Sequence, residues 1–426
     1  MRKTGNIILS LIAVIIVLTA CINNPEKEHQ GLINLEHLKY LYAAVTLENG
    51  KEVGVINIYS EYPDYIYEIE PNEGFTCVDD VARALVFLSA YTKNSNDPEI
   101  EIMIDKMTRF ILTMQAENGY FYNFLWGDMS INKTYKTSVA EPNWWSWRAL
   151  WALSEIYPNL KGNLADRTKT AADKIISIIE DKYTGLPKDT IQFEGINLPN
   201  WFPLGTAFDQ SAIQIMGMES YYNNIQKDTA VIELIEKFAE GLLLTQKGDS
   251  NNFPYGAYLS WNNLWHSYGN IQAYAMLKAG QLLKRDDFTK SALLEIDNLY
   301  PYLVSENFIA NFSIKKNGEN YNVTTMEYYP QIAYGIRPMV YACLEAFIIT
   351  EDKKYVDMAQ RVASWLAGNN PACHQMYNPE TGRCFDGIVS EKEVNKNSGA
   401  ESTIEALLTL QAIKDHPVAD INKIYE

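Results

Sequence analysis

Hydrophobic residues recur along the chain in two kinds of stretch, one apolar on every side and the other apolar on one side only. The first fully apolar stretch covers residues 78–92, and further ones begin near residues 142, 208, 267, 331 and 399. A helix that is apolar all round must be buried among other helices, whereas a one-sided pattern is typical of a helix at the edge of a core. The pattern therefore predicts six buried helices that alternate with half-exposed ones.

Each buried helix is paired with a half-exposed helix, which gives six helical hairpins and an all-α fold. We expect the half-exposed helices over residues 32–47, 98–116, 163–182, 229–246, 287–303 and 353–368. Two runs of β-branched and aromatic residues within 51–70 predict a short β-hairpin insertion. An inner ring of six helices inside an outer ring of six, the (α/α)6 toroid, accounts for the burial pattern. A linear solenoid is the alternative, but it would not bury alternate helices on every side.

The first 21 residues differ from the rest and predict an export signal. Arg2 and Lys3 precede an apolar run over residues 7–18, and small residues then lead to Cys21. This order is typical of a lipoprotein signal peptide, so Cys21 would become the lipid-modified start of the mature chain. The alternative is an uncleaved membrane anchor. We expect residues 22–31 to form a tether and residues 32–426 a single toroid domain, held at the extracellular or periplasmic face of the cell membrane.

Composition narrows the classes of partner. The formal net charge of −17 argues against nucleic acid and anionic membrane surfaces as partners, but it places little constraint on a neutral sugar. No spacing of cysteine and histidine suggests zinc, and we expect a monomer without metal or cofactor. Cys373 and Cys384 flank a loop and could form a disulfide in an oxidising compartment, or remain thiols. Cys77 and Cys343 are interpreted as buried thiols.

The starts of the six buried helices carry the candidate chemistry. Inner helices of a toroid run parallel, so their N-termini meet at one mouth, and loops rich in Trp, Tyr and Phe precede them. Sugar faces stack on aromatic rings and sugar hydroxyls bind carboxylates, while glycosidic cleavage needs two carboxylates. The candidate catalytic residues are Asp80, Glu141, Glu327 and Glu401, and the candidate substrate-binding residues are Asp79, Trp144, Trp201, Asp209, Trp265, His266, Tyr329 and Asp386.

Each candidate also has a structural interpretation. A carboxylate at a helix start can serve as an N-cap alone, but Asp79 and Asp80 are adjacent and one cap needs only one of them. Arg83 follows one turn later and is placed to pair with either carboxylate and keep it ionised. A histidine such as His266 is more often hydrogen-bonded in a structural role than used as a base.

Two segments resemble a known family. The sequence VDDVARAL of Val78–Leu85 resembles the DDNARAL motif of a family of (α/α)6 domains related to six-hairpin glycosidases and often associated with bacterial glycosyltransferases. The segment 375–403, with YNPETGRCFDG and NKNSGAEST, resembles that family's closing motif, and residues 148–153 match a shared run. The chain departs from the family near Glu141, where a second acidic residue is replaced. The resemblance implies the toroid fold and an involvement with carbohydrate.

The expected function is that of an exported, lipid-anchored glycoside hydrolase acting on an oligo- or polysaccharide. By analogy with unsaturated glucuronyl hydrolases, which share the toroid, acids at the first two inner helices would form the working pair, here Asp80 and Glu141. A polysaccharide lyase or sugar epimerase is the alternative among enzymes, with Tyr329 or His266 as the base. A glycan-binding envelope lipoprotein without catalysis is the alternative outside enzymes. It would keep the aromatic mouth but lack two carboxylates at a working separation.

Overall fold

The structure, a computed structural model, describes residues 31–426, and the predicted export signal with its Cys21 lies outside the described residues. The helices are α1 (Glu36–Leu41), α2 (Val78–Tyr91), α3 (Pro98–Met114), α4 (Trp144–Ile156), α5 (Gly162–Tyr183), α6 (Phe208–Asn224), α7 (Thr229–Thr245), α8 (Gln272–Leu283), α9 (Asp286–Ser305), α10 (Arg337–Thr350), α11 (Lys354–Ala363) and α12 (Ala400–Asp415). None of them is both long and apolar enough to cross a membrane.

Six helices form a closed inner ring. Helices α2, α4, α6, α8, α10 and α12 each contact the next, and α12 returns to contact α2. Helices α3, α5, α7, α9 and α11 each contact the inner helix that precedes them and lie outside the ring. The inner helices are buried on nearly all sides, as their apolar sequences require. This arrangement is the predicted (α/α)6 toroid.

The first outer helix differs from the prediction over 32–47. Only α1 is helical, and the chain then continues as a strand, Tyr42–Thr46, paired antiparallel with Glu52–Ile56. In the second strand Val53, Val55 and Ile56 are all buried, and this strand packs on α3. Pairing with this strand overrode the helical pattern predicted for residues 42–47. A short hairpin does lie within 51–70, formed by Tyr59–Glu61 and Ile66–Glu68, but the first expected run pairs outside it, with Tyr42–Thr46.

Short antiparallel strands join the loops that precede the inner helices. The strands β1 to β17 are Tyr42–Thr46, Glu52–Ile56, Tyr59–Glu61, Ile66–Glu68, Thr76–Cys77, Phe124–Leu125, Thr190–Phe193, Ile196–Pro199, Gln246–Lys247, Ala257–Tyr258, Leu264–His266, Asn311–Asn317, Asn320–Glu327, Tyr377–Asn378, Arg383–Cys384, Gly387–Ser390 and Glu393–Asn395. Strand β5, which leads into α2, pairs with β6 from the loop before α4. Strand β11, which precedes α8, pairs with β12. These pairings fix the loops around one end of the ring.

Two inner helices start later than their sequences predict. Helix α8 begins at Gln272 instead of near 267, because β11 and a loop containing Gly269 occupy the preceding residues. Helix α10 begins at Arg337 instead of near 331, after a single 3-10 turn over Ala333–Gly335. Both changes place loop residues, rather than helix residues, at the mouth of the ring.

Candidate active site

A cavity of about 500 Å³ opens where the N-terminal ends of the inner helices meet. Its volume lies in the usual range for a small-molecule site. Helices α2, α4 and α6 and the loops before α8 and α10 each contribute to its wall. The lining residues are Glu73, Asp79, Asn123, Phe124, Thr137, Trp144, Trp145, Arg148, Asp209, Trp261, Leu264, His266, Tyr268, Gly269 and Tyr334.

Aromatic rings form one wall of this cavity. The rings of Trp144 and Trp261 stack with their centroids 6.4 Å apart and an angle of 24° between their planes. Trp144 is the first residue of α4, and its indole N–H donates to Oδ2 of Asp209, 3.0 Å away on α6. The hydrogen bond fixes the orientation of the ring, so the cavity has a rigid apolar surface bordered by a carboxylate.

Asp209 and His266 form an acid–base pair in the cavity wall. Asp209 lies in the first turn of α6, where the backbone N–H of Gln210 donates to its Oδ1 at 2.7 Å. Nε2 of His266 lies 3.6 Å from Oδ2 of Asp209. Nδ1 of His266 lies 2.5 Å from the backbone carbonyl oxygen of Tyr268 and therefore carries a proton. Nε2 is thus the nitrogen available for proton exchange with a bound molecule.

The imidazole is held in place from two directions. Strand β11 carries His266 and pairs with β12, which fixes its backbone. The ring also stacks on Tyr268, with the centroids 4.1 Å apart and an angle of 17° between the planes. A base whose position is fixed by its neighbours loses little freedom when a substrate binds.

Beneath the cavity, Arg83 is the centre of a buried ion-pair network. Its guanidinium group contacts four carboxylates, from Asp79 at 3.0 Å, Asp80 at 2.6 Å, Glu401 at 2.8 Å and Glu405 at 3.3 Å. The pairing of Arg83 with Asp79 and Asp80 follows the helical spacing expected from the sequence. The contacts to α12 close the ring between its first and last inner helices.

Two further arginines complete the network. Arg148 of α4 binds both carboxylate oxygens of Asp79, and Arg337 of α10 binds Glu405. Arg148 also donates to the phenolic oxygen of Tyr334. Each buried charge in this network therefore has an opposite charge beside it, which such burial requires.

The network gives the two adjacent aspartates different acidities. Burial would raise the pKa of Asp79, but the guanidinium groups of Arg148 and Arg83 outweigh it and hold that pKa below its usual value. Burial raises the pKa of Asp80 to about 6, and the nearby carboxylates of Asp79 and Glu401 oppose the effect of Arg83. Asp80 also contacts the thiol of Cys77 and does not line the cavity. Asp79 is the aspartate of this pair that faces it.

Four of the residues selected from the sequence line the cavity together: Asp79, Trp144, Asp209 and His266. Asp80 and Glu401 lie next to them in the ion-pair network. Glu401 is in the first turn of α12 and keeps 42% of its side chain exposed.

The other acidic candidates lie elsewhere. Glu141 is exposed in the loop before α4, and Glu327 is exposed at the end of β13, where it accepts a hydrogen bond from Asn311. Asp386 is largely buried and accepts hydrogen bonds from the backbone N–H of Gly399 and from Ser402. Burial raises the pKa of Asp386. None of these three carboxylates lines the cavity.

The remaining aromatic candidates also lie outside the cavity. Trp201 is buried and stacks on Phe202, and Trp265 is buried and stacks on Phe312. Tyr329 is partly exposed in the loop after β13. The two tryptophans contribute to the core, and their indole N–H groups have no hydrogen-bond partner within residues 31–426.

The structure adds lining residues that the sequence did not identify: Glu73, Arg148, Tyr268 and Tyr334. Glu73 precedes β5 and accepts a hydrogen bond from Thr137 at 2.9 Å. Arg148 and Tyr334 were hidden inside apolar helical patterns. An arginine inside an apolar helix was the signal that could have identified Arg148, because a buried arginine needs a carboxylate partner nearby.

The cysteines contribute no cross-link near the site. Cys384 is a buried thiol that is not joined to Cys373, which lies at the surface. Of the two states that the sequence left open for this pair, the structure shows separate thiols. Within residues 31–426 no cluster of His, Cys, Asp and Glu is arranged to hold a metal ion.

Neither a family model nor a curated protein sequence matches the chain. Solved structures share its fold. A sugar epimerase from a ruminal bacterium is 12% identical, covers 86% of this chain and 93% of its own, and has a TM-score of 0.60. A D-mannose isomerase is 11% identical over 84% and 91%, with a TM-score of 0.59. A family 76 glycoside hydrolase from a bovine Bacteroides thetaiotaomicron strain is 11% identical over 90% and 78%, with a TM-score of 0.56. At such identities the likeness shows a common fold.

Proposed function

We propose that the protein is a carbohydrate-active enzyme that binds a saccharide in the cavity at the mouth of the ring. The observation that carries this proposal is the Asp209–His266 pair beside the Trp144 ring. A sugar stacked on that ring brings its hydroxyl groups and carbon-bound hydrogens within reach of a carboxylate and an imidazole. The similar structures, a sugar epimerase, a mannose isomerase and a glycoside hydrolase, support this class of substrate.

The reaction that this geometry favours is proton transfer at a carbon next to a sugar carbonyl, as in isomerisation or epimerisation. Nε2 of His266 is the free nitrogen of an oriented imidazole, and the carboxylate of Asp209 stabilises the imidazolium that forms when it takes a proton. Asp80 and Glu141 are less suited to proton transfer on a bound sugar. Asp80 is bound by Arg83 below the cavity, and Glu141 is exposed outside it.

Hydrolysis of a glycosidic bond is the second candidate. Asp209 and Glu73 both line the cavity, so one site contains two carboxylates. Glu73 accepts hydrogen bonds from Thr137 at 2.9 Å and Tyr59 at 3.3 Å, and no ion pair holds it within residues 31–426. A glycosidase needs one carboxylate as the acid and a second as base or nucleophile.

One experiment distinguishes these reactions. The protein would be incubated in D2O with a panel of reducing mono- and disaccharides and with oligosaccharides, and the products followed by proton NMR. Isomerisation or epimerisation exchanges a carbon-bound hydrogen for deuterium, whereas hydrolysis releases new reducing ends without such exchange. Binding of a sugar without either change would indicate a glycan-binding protein. An unsaturated product that absorbs in the ultraviolet would indicate a lyase.

Matched variants locate the site in the same assay. Asp209→Asn and His266→Gln are expected to lower the rate about 100-fold or more, as loss of an acid–base group usually does. Glu141→Gln changes an exposed carboxylate outside the cavity and should leave the rate near that of the wild type. Loss of activity in Glu141→Gln with full activity in Asp209→Asn would contradict the proposed site and favour the acids selected from the sequence.

We further propose that the enzyme works outside the cytoplasm, tethered to the membrane by a lipid on Cys21. The basic residues, apolar run and small residues that precede Cys21 support this location. The net charge of −17 gives the folded part no electrostatic attraction to an anionic membrane. A lipid would then be its main attachment.

A further inference from the structure

Tyr334 lies at the floor of the cavity among three guanidinium groups. It belongs to the single 3-10 turn that precedes α10. The guanidinium carbons of Arg83, Arg148 and Arg337 lie 5.1, 5.2 and 5.5 Å from the centre of its ring. Its phenolic oxygen accepts a hydrogen bond from Arg148. The side chain is 6% exposed, and that exposed part contributes to the cavity wall.

The phenolic proton of Tyr334 has no acceptor among residues 31–426. The one hydrogen bond at its oxygen is received from Arg148, so the O–H group remains available as a donor. Gly269 lies directly against this oxygen: a Cβ at that position would be 2.9 Å from it. Gly269 also lines the cavity, in the loop that follows His266 and Tyr268. A side chain at Gly269 would therefore press on the hydroxyl group, and the glycine leaves that space free.

We propose that Tyr334 is a second proton carrier of the site and acts on the oxygen of the sugar while His266 acts on its carbon. The inference rests on the proposed proton-transfer function. Nε2 of His266 takes the proton from the carbon next to the carbonyl, and the phenol gives its proton to the carbonyl oxygen, so an enediol forms. The phenolate then takes the proton of the neighbouring hydroxyl group. The imidazolium returns its proton to the former carbonyl carbon, which completes an aldose–ketose exchange with both groups restored.

The charges around Tyr334 suit this role. During the exchange the phenol is briefly a phenolate, and Arg148, which donates to its oxygen, is placed to stabilise that negative charge. The guanidinium groups of Arg83 and Arg337 lie within 5.5 Å of the ring, and each of them is also paired with a carboxylate. At rest the phenol keeps its proton, because burial raises the pKa of Tyr334 more than the arginines lower it. The group therefore meets the substrate as an acid.

Tyr334→Phe tests the inference, because it removes the hydroxyl group and retains the ring between the arginines. We expect kcat to fall about 100-fold or more, with KM changed only a few-fold. Tyr341→Phe is the matched control. Tyr341 also faces Arg337, at 5.2 Å, but it lines a separate cavity at the opposite end of the ring. Its loss should leave kcat near the wild-type value.

A second variant separates proton transfer from a structural role. Replacing Tyr334 by difluorotyrosine keeps the ring and the hydroxyl group but makes the phenol more acidic. The alkaline limb of the kcat profile should then move to lower pH, which a residue that only positions Arg148 would not cause. This variant also remains informative if Tyr334→Phe does not fold.

The outcomes distinguish the inference from the function on which it rests. Full kcat in a folded Tyr334→Phe, or an unchanged pH profile with difluorotyrosine, would overturn the role of Tyr334 and leave the proposed function intact. A wild-type protein that exchanges no hydrogen on any sugar would overturn both. Loss of kcat with a displaced alkaline limb would support the assignment.

Discussion

The indole N–H of Trp144 donates to the carboxylate of Asp209 across 3.0 Å, and this contact joins the starts of two inner helices, α4 and α6. One side of the cavity is thereby rigid. The same oxygen of Asp209 lies 3.6 Å from Nε2 of His266, so the tryptophan orients the acid–base pair and also supplies an aromatic face to the cavity. In the proposed function, substrate stacking and proton transfer depend on this one shared carboxylate oxygen.

Trp144→Phe should weaken both the proposed sugar stacking and the proposed proton transfer without unfolding the protein. The phenyl ring can still stack on a sugar, but Asp209 loses a donor, which costs about 1–2 kcal/mol. We expect kcat/KM to fall about tenfold in the saccharide assay. Trp147→Phe is the control, since Trp147 is fully buried and donates instead to Gln210 in the core. It should lower the melting temperature and leave kcat/KM nearly unchanged. An equal loss of kcat/KM in both variants would contradict a specific role for Trp144.

The stability of the ring should depend strongly on Arg83. Arg83→Met keeps the length of the side chain and removes its charge, which leaves four carboxylates near one another in a buried site. We expect the free energy of unfolding to fall by about 3–5 kcal/mol, measured by urea denaturation.

The control for Arg83 is an exposed arginine with the same helical pairing. Arg109→Met removes the ion pair with Asp105, in which both side chains are more than 40% exposed. That change should cost about 0–1 kcal/mol. Similar losses in the two variants would show that the buried network adds no more than a surface ion pair.

Glu295 should make the protein less stable as the pH rises. Its carboxyl group is fully buried on α9, and burial raises its pKa to about 8 from an ordinary value of 4.5. Between those values the folded protein retains a proton that the unfolded chain releases. The free energy of unfolding therefore falls by up to about 1.4 kcal/mol for each pH unit in this window from this group alone.

Glu295→Gln removes that dependence and provides the test. The amide oxygen can still accept from the backbone N–H of Tyr258, which lies 2.6 Å from Oε2 of Glu295, while the contact at Oε1, which now accepts from Nδ2 of Asn270 at 3.4 Å, is the one that changes. The stability of the variant relative to the wild type should increase steadily from pH 5 to pH 8 in urea titrations. A constant difference over that range would mean that Glu295 is ionised in the folded protein.

Cys21→Ser should release the protein from the membrane fraction of an expressing bacterium. The hydroxyl group cannot take the thioether-linked lipid that the export signal predicts. The measurement is membrane fractionation with detection of fatty-acid labelling. Cys373→Ser is the control, since that cysteine lies at the surface of the folded part and should not affect attachment. Attachment that persists in Cys21→Ser without label would favour an uncleaved apolar anchor.

The inner ring could be predicted because its helices are apolar on every side, which is a property of the sequence itself. The strand over Tyr42–Thr46 could not, because its conformation depends on pairing with Glu52–Ile56, which in turn packs against α3. The intrinsic preference of a short segment for helix or strand contributes less free energy than such tertiary contacts. The predicted helix over 32–47 was therefore wrong beyond residue 41.

The same distinction applies to the site. Asp79 and Asp209 could be chosen because a helix start faces the mouth whatever else the fold does. Whether Trp265 faces the cavity or the core depends on strand β11, because neighbouring side chains of a strand point to opposite faces. Leu264 and His266 therefore line the cavity, while Trp265 between them packs on Phe312. Only knowledge of that strand could have assigned its tryptophan to the core.

The ion pairs between Arg83 and α12 have a consequence for the synthesis of the protein. Arg83 meets Glu401 and Glu405 across 318 and 322 residues of sequence. As the chain leaves the ribosome, α2 emerges long before its partners, and until α12 follows, the arginine at the heart of the ring has lost two of its four carboxylates. Almost the entire toroid is therefore synthesised before these ion pairs can form, and a chain that ends before α12 lacks two of the four carboxylates that surround Arg83.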